Sequence, residues 1–142
     1  ITGSSISYMP PDNAKYVYYE FNLKMEATSR GGISGFQIRF DGTNVTIADK
    51  GWSGNYTTTG HHLAEFMHTS AVVFDLTVST TNISQAQIAP ADWATVKTLD
   101  VRAQEYSSYY QSEAHGNHYE DESSSSGNEV YTKPVLTIIA YG

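Results

Sequence analysis

The chain has 142 residues, 39% of them hydrophobic and 13% aromatic, enough apolar material for one globular domain with a packed core. Eight basic against fifteen acidic side chains leave a formal charge of -7, which repels phosphate backbones and anionic lipid, so nucleic-acid binding and membrane insertion are not expected. Cysteine is absent, which removes disulfides, thiolate nucleophiles and cysteine-ligated zinc.

The opening "ITGSSISYMPP" has neither the basic start nor the apolar centre of a signal peptide, and no apolar run reaches the roughly 18 residues of a membrane span. In "AKYVYYEFNLKMEA", Val17, Tyr19, Phe21, Leu23, Met25 and Ala27 share one side of a period-two ribbon and Glu20, Asn22, Lys24 and Glu26 the other, which predicts a long half-buried strand. "GFQIRFDGTNVTIAD" turns Phe36, Ile38 and Phe40 inward, and its Asp41-Gly42-Thr43-Asn44 predicts a β-hairpin. Phe66, Val72, Phe74, Leu76 and Val78 keep one parity, as do Leu99, Val101 and Ala103, giving two more strands. Only "PADWATVK" hints at a helical turn. Val135 to Tyr141 is apolar on both faces apart from Thr137, the pattern of a central strand covered on both sides or pressed against a neighbouring subunit. Strands separated by Gly, Ser, Asn and Asp clusters predict an all-β fold, an antiparallel β-sandwich of jelly-roll or Greek-key type. No repeat or linker divides it, so residues 1–142 are expected to form a single domain. The missing initiator methionine and the final strand give the expectation of a C-terminal domain from a longer chain.

The densest polar stretch is "SEAHGNHYEDESSSSGNEVY", Ser112 to Tyr131. His115 and His118 stand three apart and would share a metal only across a turn at Gly116-Asn117, with Glu120, Asp121 and Glu122 as hard oxygen donors in no calcium-loop pattern. A solvated loop is the preferred reading, with His115 and His118 kept as weak metal candidates. His61, His62 and His68 fit no ligand motif and are read as structural, although one histidine per chain around a three-fold axis would make an N₃ site. No serine sits in a G-x-S-x-G elbow, no glycine loop opens a helix, and the paired carboxylates of the acidic loop have no apolar surroundings to raise a pKa, so no enzyme and no cofactor are expected. Asn44, Asn55 and Asn82 open formal glycosylation sequons.

Eleven tyrosines against two tryptophans and five phenylalanines favour flat amphipathic side chains of the type that stack on sugars or protein surfaces. Trp52 and Tyr56 in "KGWSGNYTTTG" and Tyr106, Tyr109 and Tyr110 in "EYSSYYQ" are the ring candidates, and His115, His118 and Tyr119 join them from the polar stretch. Tyrosines tiling strand surfaces and subunit contacts account for the same bias.

The segments "ISYMPPDNAKYVYYEFNLKM", "FQIRFDGTNVTIAD", "TLDVRAQEYSSYYQSEAHGNHYEDE" and "KPVLTIIAYG" resemble, in that order and over most of the chain, a family of C-terminal domains in structural proteins of marine phages and large algal viruses. That family has a "S-I-x-Y-x-P" start, a tyrosine-rich first strand, a "DGT" hairpin, an "A-R-E-Y"-like strand and a final "P-x-L-T-I-x-A" strand. This chain departs from it at Arg102-Ala103-Gln104-Glu105-Tyr106, and in carrying "HYEDE" where a tryptophan-bearing loop is common. The resemblance implies a fibre-tip or spike domain at the virion surface, a homotrimer joined to an upstream fibre or virion protein, which attaches to a host-surface glycan or protein. It transfers no catalytic residue. The rival readings are a free carbohydrate-binding module or lectin, and a decoration or baseplate domain without a receptor.

Overall fold

The computed structural model describes residues 1–27, 32–53, 65–107, 112–115 and 133–142. Among them nine strands form two antiparallel sheets. In the first, β1 (Ile6–Tyr8), β7 (Lys97–Glu105) and β3 (Ile33–Phe40) lie side by side, and β4 (Thr43–Asn44) and β5 (Lys50–Ser53) share the far edge of β3. In the second, β2 (Tyr16–Ala27) is central, with β6 (Glu65–Asp75) along one edge and β8 (Ser112–Ala114) and β9 (Val135–Tyr141) end to end along the other.

The alternation read in β2 is the alternation of burial: Val17, Tyr19, Phe21 and Leu23 are fully buried and Met25 nearly so. Phe36, Ile38 and Phe40 of β3 and Leu99 and Val101 of β7 face them from the other sheet, so both sheets contribute to one core. Each such side chain removed from water contributes roughly 1.5–3 kcal/mol before the entropy of ordering the chain is set against it. At one end of the core Trp93, delivered by a 3₁₀ turn at Pro90–Trp93, meets Phe40 and Phe74 edge-on with centroids 4.8 and 5.3 Å away. Its indole N–H donates to the Tyr8 carbonyl at 3.0 Å, which satisfies the one polar atom that burial would otherwise orphan.

The opposite end is joined by polar links. Lys50 Nζ donates to the Thr69 carbonyl at 3.0 Å, the hydroxyls of Ser34 and Ser112 bond to one another, and the Phe36 ring stacks on His68 at 3.7 Å. Each of these contacts crosses from one sheet to the other.

The predicted hairpin forms, and Asp41 and Gly42 both have positive φ, 48° and 84°, as a tight two-residue β-turn demands. The returning strand does not run on. After β4 a 3₁₀ turn at Thr46–Ala48 sinks Val45 and Ala48 into the core, and β5 resumes pairing with β3 three residues out of step.

Three expectations are narrowed or corrected. Of the two alternatives for β9, the described residues do not show the central strand: among them it pairs with β2 alone, Leu136, Ile138 and Ala140 pack on the core, and Val135 and Ile139 are exposed, which leaves the alternative of a face turned to a neighbouring subunit. Ala103 is exposed: burial along the inward side of β7 ends at Val101. Ser112–Ala114, expected to begin a loop, forms β8 against Met25–Ala27.

Candidate functional site

The register of three strands sets a trough on the outer face of the first sheet. Gly35 in β3 lies opposite Gly51 in β5 on one side and Gln104 in β7 on the other, and Gln37 lies opposite Arg102. Two glycines side by side remove the side chains that would otherwise stand up from the sheet. Asp49 and Lys50 close one rim, Gln37, Arg102, Ala103 and Gln104 the other, around about 380 Å³, within the range of about 300–1,000 Å³ typical of small-ligand sites.

Packing does not require either glycine. A Cβ built on Gly35 or Gly51 meets nothing within 4 Å among the described residues, and neither has positive φ. Glycine weakens a strand interior, and in such a place it often marks the close approach of a ligand or of another backbone.

The polar groups around the trough divide into engaged and unengaged. Arg39 grips Asp100 with two bonds of 2.7 Å, Glu105 Oε1 accepts the Ser112 amide at 2.9 Å, and Asp49 accepts from the Asn44 amide at 3.2 Å. The side chains of Arg102, Gln37 and Gln104 are exposed and make no hydrogen bond or ion pair among the described residues. The trough therefore offers one guanidinium and two carboxamides that no side chain among the described residues engages.

No family model matches this chain, and no curated protein or solved structure matches it either. The arrangement of its side chains thus has to carry the reading.

The residues singled out from the sequence fall mostly elsewhere. Tyr56, Tyr109, Tyr110, His118 and Tyr119 lie outside the described residues, as do His61, His62, Glu120, Asp121 and Glu122. Trp52 belongs to β5, in register with Ser34 and next to Gly51 of the trough. Tyr106 is 75% exposed, just past the end of β7. His115 is held by its own chain: its ring Nε2 donates to the Thr2 carbonyl at 2.9 Å, its amide donates to Lys24, and its ring meets Phe21 edge-on. That leaves Nδ1 buried without a partner among the described residues and gives His115 the part of an anchor between β8 and the N-terminal segment. Among the described residues no three His, Cys, Asp or Glu side chains converge to hold a metal ion. None of the described helices is long and apolar enough to cross a membrane.

Sequence reasoning passed over Gly35, Gly51, Gln37 and Gln104. The available signal was a glycine inside each of two strand-like runs, "SGFQ" and "KGWS", where none was needed for a turn.

Proposed function

We propose that this chain is a non-catalytic attachment domain, a viral fibre-tip or spike domain that binds a host-surface glycan through the trough of Gly35, Gly51, Gln37, Arg102 and Gln104. The single observation that supports the reading is the pair of facing glycines, at which an added Cβ would meet nothing within 4 Å among the described residues. Carboxamides and a guanidinium around an open backbone floor suit sugar hydroxyls, which need both donors and acceptors. No cofactor is assigned.

The virion-surface location and the link to an upstream fibre protein rest on the family resemblance, and the jelly-roll or Greek-key connection on the pattern of strands and turn clusters in the sequence. For self-association there is a physical support: the outer face of the second sheet carries Tyr16, Met67, Val73, Val135, Ile139 and Tyr141, all exposed. Clustered apolar exposure of this kind marks contact surfaces, and we assign it to the homotrimer.

The test is Gly35→Val. A β-branched residue at a strand position with free space above it should leave the melting temperature equal or slightly higher while filling the trough. Glycan-array binding by the parent that disappears in this stably folded variant would support the proposal. Retention of all binding would move the site elsewhere, and a parent that binds no glycan but captures a viral partner protein would favour the decoration or baseplate reading.

A further inference from the structure

Building on the reading of the trough as a glycan site, we infer that its ligand is an anionic saccharide whose carboxylate or sulfate is held by Arg102. In a chain of net charge -7, an anion is excluded from most of the surface and needs a local reason to bind. Around the trough that reason exists, because the Arg102 guanidinium makes no ion pair among the described residues, while Arg39 is spent on Asp100. Glu105 accepts from the Ser112 amide and Asp49 from the Asn44 amide.

The neighbours of Arg102 complete the chemistry. A planar guanidinium presents a fork of N–H donors that fits a carboxylate or sulfate with two parallel bonds. Gln37 stands directly across the sheet from it and Gln104 two residues along the same strand, so both carboxamides flank the guanidinium on the outer face. Each offers donors and an acceptor to the hydroxyls of the same ring. Across the glycine floor Asp49 presents a carboxylate that only accepts, so it repels the acidic group and receives hydroxyls. This polarity orients a saccharide with its anion toward β7 and its neutral edge toward β5. Lys50 contributes only backbone to this rim, because its ammonium is turned across to the Thr69 carbonyl of the second sheet.

The experiment is calorimetric titration of the whole chain with two pairs of probes: oligogalacturonate against its carboxyl-reduced counterpart, and a sulfated galactan oligomer against its desulfated form. At least one acidic probe should bind about ten- to a hundredfold tighter than its neutral partner, the size of one charge-assisted pair. Which pair shows the difference tells carboxylate from sulfate. Arg102→Gln should erase that preference with an unchanged melting temperature, and Arg102→Lys should restore only part of it, because a point charge lacks the fork. Equal binding of acidic and neutral probes, both lost in Gly35→Val, would overturn this inference and leave the trough as a neutral-glycan site. An acidic preference that survives Arg102→Gln would overturn the assignment to Arg102. Absence of binding to every probe, together with an empty glycan array, would remove the glycan reading and this inference with it.

Discussion

His68 is the buried residue whose chemistry is most exposed to conditions. It is 7% exposed, stacked on Phe36, and its Nε2 lies 2.9 Å from the Ser70 hydroxyl. Burial, with a smaller contribution from the Lys50 charge, pushes its pKa down from 6.5 to about 4. The unfolded chain therefore takes up this proton near pH 6.5 and the folded chain near pH 4. The stability involved is fully present above pH 6.5 and is lost as the pH falls toward 4, by at most roughly 3 kcal/mol. Urea denaturation at pH 7.5, 5.5 and 4.5 should show this decline, and His68→Leu should flatten it while lowering stability at pH 7.5 by about 1 kcal/mol for the orphaned Ser70 hydroxyl. An identical decline in the variant would assign the acid sensitivity to other groups. Two other groups are shifted by near neighbours: Asp75 is pulled down by the Thr77 hydroxyl and amide, and Tyr18 is pushed up first by its bond to Glu20.

Among the elements, the glycines divide by what they do. Gly42 is required by conformation, since φ is +84° and a Cβ there would meet open space. Gly42→Ala should cost about 1–2 kcal/mol in chemical denaturation, the strain of an L-residue in the left-handed region, and Gly42→Asn clearly less. Gly51→Ala, at a position of ordinary φ, should cost nothing or stabilise slightly, which separates the conformational role from the spatial one. This division also shows how far the sequence could be read. β2 and β3 were legible because each has one dry face and one wet face, and period-two alternation reports that directly. β9 stayed open between two readings because its outward residues Val135 and Ile139 are as apolar as its inward Leu136 and Ile138, and alternation is blind to an apolar surface. β8 was hidden because three residues, Ser-Glu-Ala, carry no periodicity. The trough was illegible for a different reason: Gly35, Gly51 and Arg102 meet through strand register, and the three-residue slip after Thr46–Ala48 that sets Gly51 opposite Gly35 leaves no local mark.

At the scale of the molecule, the two outer faces are chemical opposites. The first sheet shows Gln37, Arg39, Asp100, Arg102 and Gln104. The second shows Val73, Tyr18 and Ile139 in one cross-strand row and Tyr16 beside Tyr141 in the next. Glu20 on this face is bonded by the Tyr18 hydroxyl and the Asn22 amide, and Asp75 stands opposite Tyr16 at its end, so the apolar row of Val73, Tyr18 and Ile139 is the part that copies can press together. Light scattering at several concentrations should return the mass of three chains, and Val73→Lys with Ile139→Lys should reduce it to one without unfolding the domain. A parent that is already a single chain would favour the free carbohydrate-binding module.

The back-to-back placement of the two sheets has one more consequence. If copies meet on the second sheet as proposed, the trough on the first lies on the face turned away from that contact, and every copy would carry its own mouth outward. A shallow trough grips one sugar weakly, but several carried on one rigid body rebind before all have let go, and avidity gains of about 10²–10⁴ need no new contact. A surface crowded with the right residues would then hold such a particle for long periods while a free oligosaccharide slipped away, and holding power would climb steeply with how densely that surface is coated.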